Sequence, residues 1–408
     1  VTVGAPLRWL ITGLAAAALS HAQEPAAPAE ITPAPATADP TQDPVFRTRM
    51  YRALRQADEH AAKGQWGEAQ AILLDLIEKA PQNLLLIEKT ALLFTVQERW
   101  QPALDQWKQL FAKAQSRYDV LTRIGRCQAL LGQNDEAAKN LLLASQLSPE
   151  PLEPRLWLAA VQQAQGQEAR ARETLGLPDL RETAYWLHLL ADEAVHFRQV
   201  LGTPLYLDLV ARVAAGGTDH PGFRLVTRPE AEWSDRLRGA ARALTDLEQR
   251  MDGRESSRAD LAWHAAKDLG LSGPLLQGYR AMILARTQGK EAGLAELTPW
   301  LAAHPGWVPL LHLHGVLLLE TGAFAEAVPV LRDAAHRSGN RTDIAFALAC
   351  ALAGAGQDQE ALILLDVLAG RDPGRLLRLL QMGAEALEGL RLRPEYSDLL
   401  DRLRAAGP

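Results

Sequence analysis

One spacing constrains this chain more than any other property. Gly64, Gly132 and Gly166 lie on a single 34-residue register, with Glu98 in the slot between the first two. Five residues after each comes an alanine: Ala69, Ala103, Ala137 and Ala171. The pair returns as Gly322/Ala327 and Gly356/Ala361, again 34 residues apart. A period of this length, with small residues at two fixed places, is the mark of stacked helical hairpins. The chain is therefore expected to be all-α, built from antiparallel helix pairs.

The first array is expected over 45–177. Gly64 breaks the first hairpin, Trp66 plugs its base, and Ala69 faces the first helix at the closest approach. Leu73 and Leu76 continue that apolar stripe at helical spacing. Pro81 ends the hairpin because it cannot donate within a helix. The second unit repeats the plan with Trp100, Ala103, Trp107 and Leu110. The third has Gly125, Gly132, Ala137, Leu141 and Pro149, and the fourth has Ala159, Gly166, Ala171 and Leu175. A second array is expected over 274–374. Its best unit holds Leu311, Gly315, Gly322, Phe324, Ala327 and Leu331, and the next holds Phe346, Gly356, Ala361, Leu365 and Pro373. A looser unit around Met282 and Gly289 precedes them. Residues 375–408 read as capping helices, Arg375–Leu392 and Glu395–Ala405 with Pro394 between, covering the last apolar face.

Between the arrays, 178–273 loses the register. Thr183–Leu201 and Pro229–Met251 read as helices, while Gly216-Gly217 and Pro221-Gly222 mark a loop. Two readings stay open for this irregular segment: degenerate hairpins in one continuous superhelix, or a hinge between two arrays. The loop around Gly216–Phe223 is the expected place for local flexibility.

A small residue in the first helix, a Gly-x-bulky turn, an Ala in the second helix and a closing Pro together resemble the tetratricopeptide repeat. Gly125, Gly132, Ala137 and Pro149 match four of those places in one unit. Glu98 departs at the turn glycine, Gln115 at the closing proline, and Asn134 and Glu168 at the bulky turn residue. The resemblance implies a right-handed superhelical solenoid whose concave face is lined by first-helix positions. Carried over by register, these are Asp58, Glu88, Leu92, Asp119, Thr122 and Arg126, then His312, Val316, Phe346 and Cys350. One branch of the family grips a C-terminal carboxylate with Lys and Asn. Leu54 and Asp58 stand at those places here, which argues against that ligand.

The ends suggest export. Residues 1–22 read as a signal peptide: Arg8, an apolar run from Trp9 to Ser20, and Ser20-His21-Ala22 before a cleavage site. That run is short of the ~20 residues a membrane crossing needs, so no span is expected in the mature chain. No Cys follows the signal to carry a lipid. Val1 fits a non-AUG start codon and so a bacterial source. Residues 23–44, rich in Pro and Ala, read as an extended, disordered linker. The expected location is periplasmic or secreted. The formal net charge is −6, and no basic run of five or more occurs, so nucleic acid is not an expected partner. Cys127 and Cys350 lie in distant repeats and read as small core residues rather than a disulfide.

Chemistry is sparse. His188, Asp192 and His196 are spaced four and eight residues along one expected helix, so they share a face and could bind a transition metal. Against that stands a solvated polar stripe opposite Trp186, Leu190 and Phe197. His312 and His314 point to different sides of their helix. Gly270-Leu271-Ser272 starts like a nucleophile elbow, but Pro274 occupies the second glycine's place. No P-loop, dinucleotide fingerprint or other cofactor motif is present. The expected function is a non-catalytic scaffold binding a peptide or protein segment on its concave surface. The rivals are a metal-dependent enzyme using His188, Asp192 and His196, and a self-assembling solenoid.

Overall fold

The computed structural model describes Pro40 and residues 43–405, apart from 115–116, 149–151, 177, 179, 217–222, 227, 254 and 382–384. The expected signal peptide, nearly all of the expected linker, Gln115, Pro149 and most of the loop around Gly216–Phe223 lie outside the described residues. No strand occurs among the described residues, whose regular structure is all helical. Its contacts divide it into two compact units. One runs to Ala171 and takes in Gln199–Leu201; the other comprises Arg172–Arg198 and the chain from Gly202 on.

In unit one the hairpins follow the register. They are α1 (Pro44–Ala62) with α2 (Trp66–Lys79), α3 (Leu84–Val96) with α4 (Trp100–Lys113), and α5 (Tyr118–Leu130) with α6 (Asn134–Leu147). Helix α7 (Leu152–Ala164) follows, and α8 (Glu168–Leu175) crosses the boundary between the units. Pro44 opens α1 rather than ending the linker. Its missing N–H falls where a helix has no internal partner to offer, and the Asp43 carboxylate accepts from Val45 N at 2.9 Å.

The turn between paired helices explains the glycine beat. Gly64, Gly132, Gly166, Gly322 and Gly356 have φ of 74°, 75°, 73°, 74° and 77°. A Cβ at any of them would meet nothing within 4 Å. Backbone conformation, not space, selects glycine here. The left-handed residue lets the next N–H reach back to the last turn: Gln133 N donates to Gln128 O at 2.8 Å, and Gln357 N to Leu352 O at 2.8 Å. That bond satisfies a carbonyl the helix end would otherwise leave open. Glu98 makes the same turn, with φ 56° and Arg99 N donating to Phe94 O at 2.9 Å.

The alanine slot is the seam of each hairpin. Ala69, Ala103, Ala137, Ala327 and Ala361 are fully buried. Opposite them, small residues of the first helix meet large ones of the second. Ala91 shares a core cluster with Trp107, and Ala57 with Leu73.

Unit two begins irregularly. Thr183–Leu201 is not one helix: α9 (Leu180–Asp192) stops, and α10 (Ala194–Leu201) starts anew. At Glu193 the backbone turns out of helical geometry, with φ −103° and ψ 17°. Next come α11 (Thr203–Ala214) and the 20-residue α12 (Trp233–Asp252), preceded by a 3-10 turn at Glu230–Glu232. Helix α9 packs directly on α12. Aromatic side chains pin this region through their polar ends. Tyr206 donates to Leu190 O at 3.0 Å, and Trp233 Nε1 to Leu225 O at 3.1 Å.

Regular pairs then resume. Helix α13 (Ser256–Asp268) leads to α14 (Pro274–Gln288) with α15 (Lys290–Ala303), α16 (Val308–Glu320) with α17 (Phe324–Arg337), and α18 (Thr342–Gly354) with α19 (Asp358–Arg371). The end is α20 (Pro373–Gln381), a 3-10 segment at Glu385–Leu392, and α21 (Pro394–Ala405). Arg375–Leu392 is thus not one helix, and Pro394 opens α21 instead of separating two helices. Leu376, Leu387, Leu390, Leu399 and Leu403 from these pieces join the core cluster of the last hairpins.

Candidate functional site

In both units the first helices of successive hairpins bring residues about one repeat apart into contact. In unit one Lys89 of α3 reaches Asp58 of α1 at 2.8 Å, and Arg117 reaches Glu88 of α3 at 3.2 Å. Arg117 also holds Asp119 at 2.5 Å. Burial raises the Asp119 carboxyl, but the Arg117 hydrogen bonds and charge outweigh it and bring its pKa below the ordinary value. The bond from Asp119 in turn holds Arg117 firmly charged. Arg126 stacks over Trp100 at 6.0 Å and Trp157 at 5.7 Å. Leu92 packs half-buried on the core. This face therefore carries Asp58, Glu88 and Asp119 against Lys89, Arg117 and Arg126, and its charges balance.

Two register-derived positions are not surface groups. Thr122 is buried, and its hydroxyl donates to Tyr118 O at 2.8 Å. Cys350 is buried as well, and desolvation pushes its thiol up to about 12. Cys127 is also buried, its thiol pushed up to about 11 by desolvation. Both cysteines are free thiols within first helices, as expected.

Unit two repeats one device from unit one. Arg341 and Asp343 stand in the places of Arg117 and Asp119 when Gly356 is set on Gly132. Arg341 grips Asp343 at 2.6 Å, and the Asp343 side chain is 18% exposed. Burial raises this carboxyl, yet the Arg341 bonds, with His312 and Arg375 adding positive field, hold it far below the carboxylate range. Where unit one has Glu88, unit two has His312, half-buried. Val316 and Phe346 lie partly buried on the core cluster, so this face is more apolar than its counterpart. The Arg-x-Asp pair was visible as Arg117-Tyr118-Asp119 and Arg341-Thr342-Asp343, two copies on the repeat register. Sequence reasoning passed over it because only one of its residues, Asp119, falls on a concave-face position.

The expected metal set does not assemble. His188 Nδ1 lies 3.0 Å from Asp192, which is also taken by Arg238 at 2.8 Å. His196 sits on the next helix and pairs with Glu193 at 2.8 Å. The break at Glu193 removes the shared face that the spacing implied. Among the described residues, no three of His, Cys, Asp and Glu converge on a metal position.

One feature had no sequence signal. The end of unit two holds a cleft of about 480 Å³ lined by Leu377 and Leu380 of α20, Arg391 of the 3-10 segment, and Tyr396, Leu400 and Arg404 of α21. The three segments are not adjacent in any periodic pattern, so only their packing forms it.

No protein-family model matches the chain, and no curated protein does. Solved structures similar to it include the TPR domain of P58(IPK), at 14% identity and TM-score 0.25, covering 88% of this chain and 94% of that one. The Cut9-Hcn1 hetero-tetramer of the APC/C matches at 14% identity and TM-score 0.25, over 86% of this chain and 55% of that one. Yeast Tom70 matches at 10% identity and TM-score 0.30, over 88% of this chain and 95% of that one. The assignment rests on the repeats themselves: hairpins on a 34-residue register, left-handed turns and buried alanine seams. The chain has a tetratricopeptide-type helical-repeat fold.

Proposed function

We propose that this chain is a non-catalytic protein-interaction scaffold of the bacterial cell envelope, docking a peptide or protein segment on the first-helix faces of its hairpins. The observation that carries this reading is the joining of successive first helices, as in Asp58–Lys89 and Glu88–Arg117. These pairs knit separate repeats into one ordered surface, which a partner can meet without ordering the scaffold first. Extended surfaces of this kind are what helical repeats offer to partners. The envelope location rests on the signal-like residues 1–22, with cleavage after Ala22. Among the described residues no helix is long and apolar enough to cross a membrane.

The test has two arms. N-terminal sequencing of the chain recovered from fractionated cells should begin at Gln23 in the periplasmic or secreted fraction; recovery from the cytoplasm with residues 1–22 retained sinks the envelope assignment. Affinity capture from the native envelope, using the chain from Gln23 onward, should recover a partner lost on Asp58→Lys or Phe346→Asp. Capture indifferent to both substitutions sinks the surface assignment.

A further inference from the structure

The cleft at the end of unit two continues the row of residues that runs along its first helices. His312, Phe346 and Leu380 follow one another at 34 residues. The first two lie on the face already described, and Leu380 lines the cleft. The row thus ends at a half-open recess between α20, the 3-10 segment and α21.

The recess has a definite chemistry. Leu377, Leu380 and Leu400 form apolar walls, each also packed against the core cluster. At about 480 Å³ the recess falls in the ~300–1,000 Å³ range of ligand pockets. Two guanidinium groups, Arg391 and Arg404, lie on its rim, and no carboxylate stands among the described lining residues. Their ion pairs are loose. Arg391 lies 3.8 Å from Glu388 and Arg404 lies 3.3 Å from Asp401, each one turn away and exposed. Pairs of that kind hold a side chain weakly in water. Nearby arginines contrast with them: Arg393 bridges to Asp358 at 2.7 Å and Arg402 to Asp366 at 2.5 Å, both tying α21 or its approach to α19. Arg391 and Arg404 can therefore turn to an anion without loosening the fold. Tyr396, nearly buried, also lines the recess. Its phenol is a donor at neutral pH, and burial pushes its pKa further up against the opposing field of Arg391.

We propose that this recess binds an extended segment of a protein partner, in which an apolar side chain is followed closely by Asp or Glu. The apolar side chain enters between Leu377, Leu380 and Leu400, and the carboxylate meets Arg391 and Arg404. Apolar anchoring with charge-assisted bonds at the edge is the arrangement that gives both affinity and orientation. The inference rests on the scaffold reading and names the chemistry of its partner at one place.

The test is selection of random short peptides displayed on phage against the full chain from Gln23 onward. Enriched peptides should pair Leu, Ile or Phe with Asp or Glu. Their synthetic copies should bind roughly tenfold or more weakly to the double variant Arg391→Glu/Arg404→Glu, and to Leu380→Asp. The arginine variant alters exposed side chains only, so it remains informative if Leu380→Asp misfolds by circular dichroism. Enriched peptides that are basic, or that bind both variants unchanged, overturn the proposal. Peptides lost on Asp58→Lys but kept by the cleft variants overturn it while leaving the scaffold reading standing. No enrichment at all sinks both. Light scattering that shows a dimer dissolved by Arg391→Glu/Arg404→Glu would make a second copy the occupant and reject the acidic peptide.

Discussion

Gly125 and Leu141 face each other across the third hairpin so closely that a Cβ on Gly125 would lie 2.6 Å from Leu141 Cγ. Gly315 and Leu331 repeat the relationship in the other unit, at 2.3 Å. The spacing of sixteen residues is the same in both pairs. Ala57/Leu73, Ala91/Trp107 and Ala349/Leu365 occupy the same positions, all buried. Each hairpin thus sets its helix separation with one small and one large residue.

Gly125→Ala should destabilise unit one. Alanine is the better helix former by about 1 kcal/mol, but overpacking costs about 1–3 kcal/mol. Here the clash falls on Cγ rather than a mobile tip, with Ala137 O a further 3.3 Å contact. The clash should win, lowering the thermal midpoint. Gly125→Ala/Leu141→Ala should show a favourable coupling relative to the single changes in a double-mutant cycle. A midpoint raised by Gly125→Ala alone would contradict this packing.

Glu98→Gly should do the opposite. Glu98 holds φ 56° in a turn where five other repeats use glycine. A left-handed non-glycine residue costs about 1–2 kcal/mol, and glycine's extra unfolded-state entropy returns about 0.5–1 kcal/mol of that. The net gain is expected near 0.5–1 kcal/mol, read as a higher denaturant midpoint. Glu98→Ala, which keeps the strain, should show no such gain.

Asp343 should make unit two acid-sensitive. Its pKa is depressed in the fold, so its contribution to stability is present above the unfolded value of about 3.9 and lost as pH falls below it. The decline of the thermal midpoint below about pH 4 should flatten in Asp343→Asn. Arg341→Ala strands the carboxylate and should cost about 1–3 kcal/mol at pH 7. Equal acid sensitivity in Asp343→Asn and the parent chain would remove Asp343 from this account.

His314 acts in a higher window with the sign of a depressed histidine. Burial lowers its pKa, Glu326 opposes that, and Lys290 adds to it. The fold favours neutral imidazole. Its contribution is complete above the unfolded pKa of about 6.5 and fades as pH falls through the lower folded value. As pH falls below about 6.5 the parent chain should lose stability that His314→Gln does not lose. Titration of the His314 ring by NMR should give a midpoint below the ordinary histidine value of about 6.5. A midpoint above it reverses the prediction.

Much of the fold was legible because repeats write the same local constraint many times. The turn glycines, buried alanines and Gly125 could be read from spacing, since a left-handed turn and a close helix contact admit few residue types. Less of the candidate surface was legible. Asp58, Glu88 and Asp119 lie in the ion pairs that join first helices, but Thr122 and Cys350 proved to be core. A register says which helix a residue occupies; a small rotation of that helix decides whether the side chain meets solvent or a neighbour.

The sequence by itself determined the helix pairs, their turns and the all-α class, because these depend on contacts within about one repeat. Tertiary structure alone decided three other things. It broke the helix at Glu193 and set His196 on a separate helix from the paired His188 and Asp192. It packed α9 on α12 across an intervening stretch of chain. It assembled Leu377, Leu380, Arg391, Tyr396, Leu400 and Arg404 into one recess. Each of these depends on residues far apart along the chain, or on how helices settle against one another, and no periodic pattern records that.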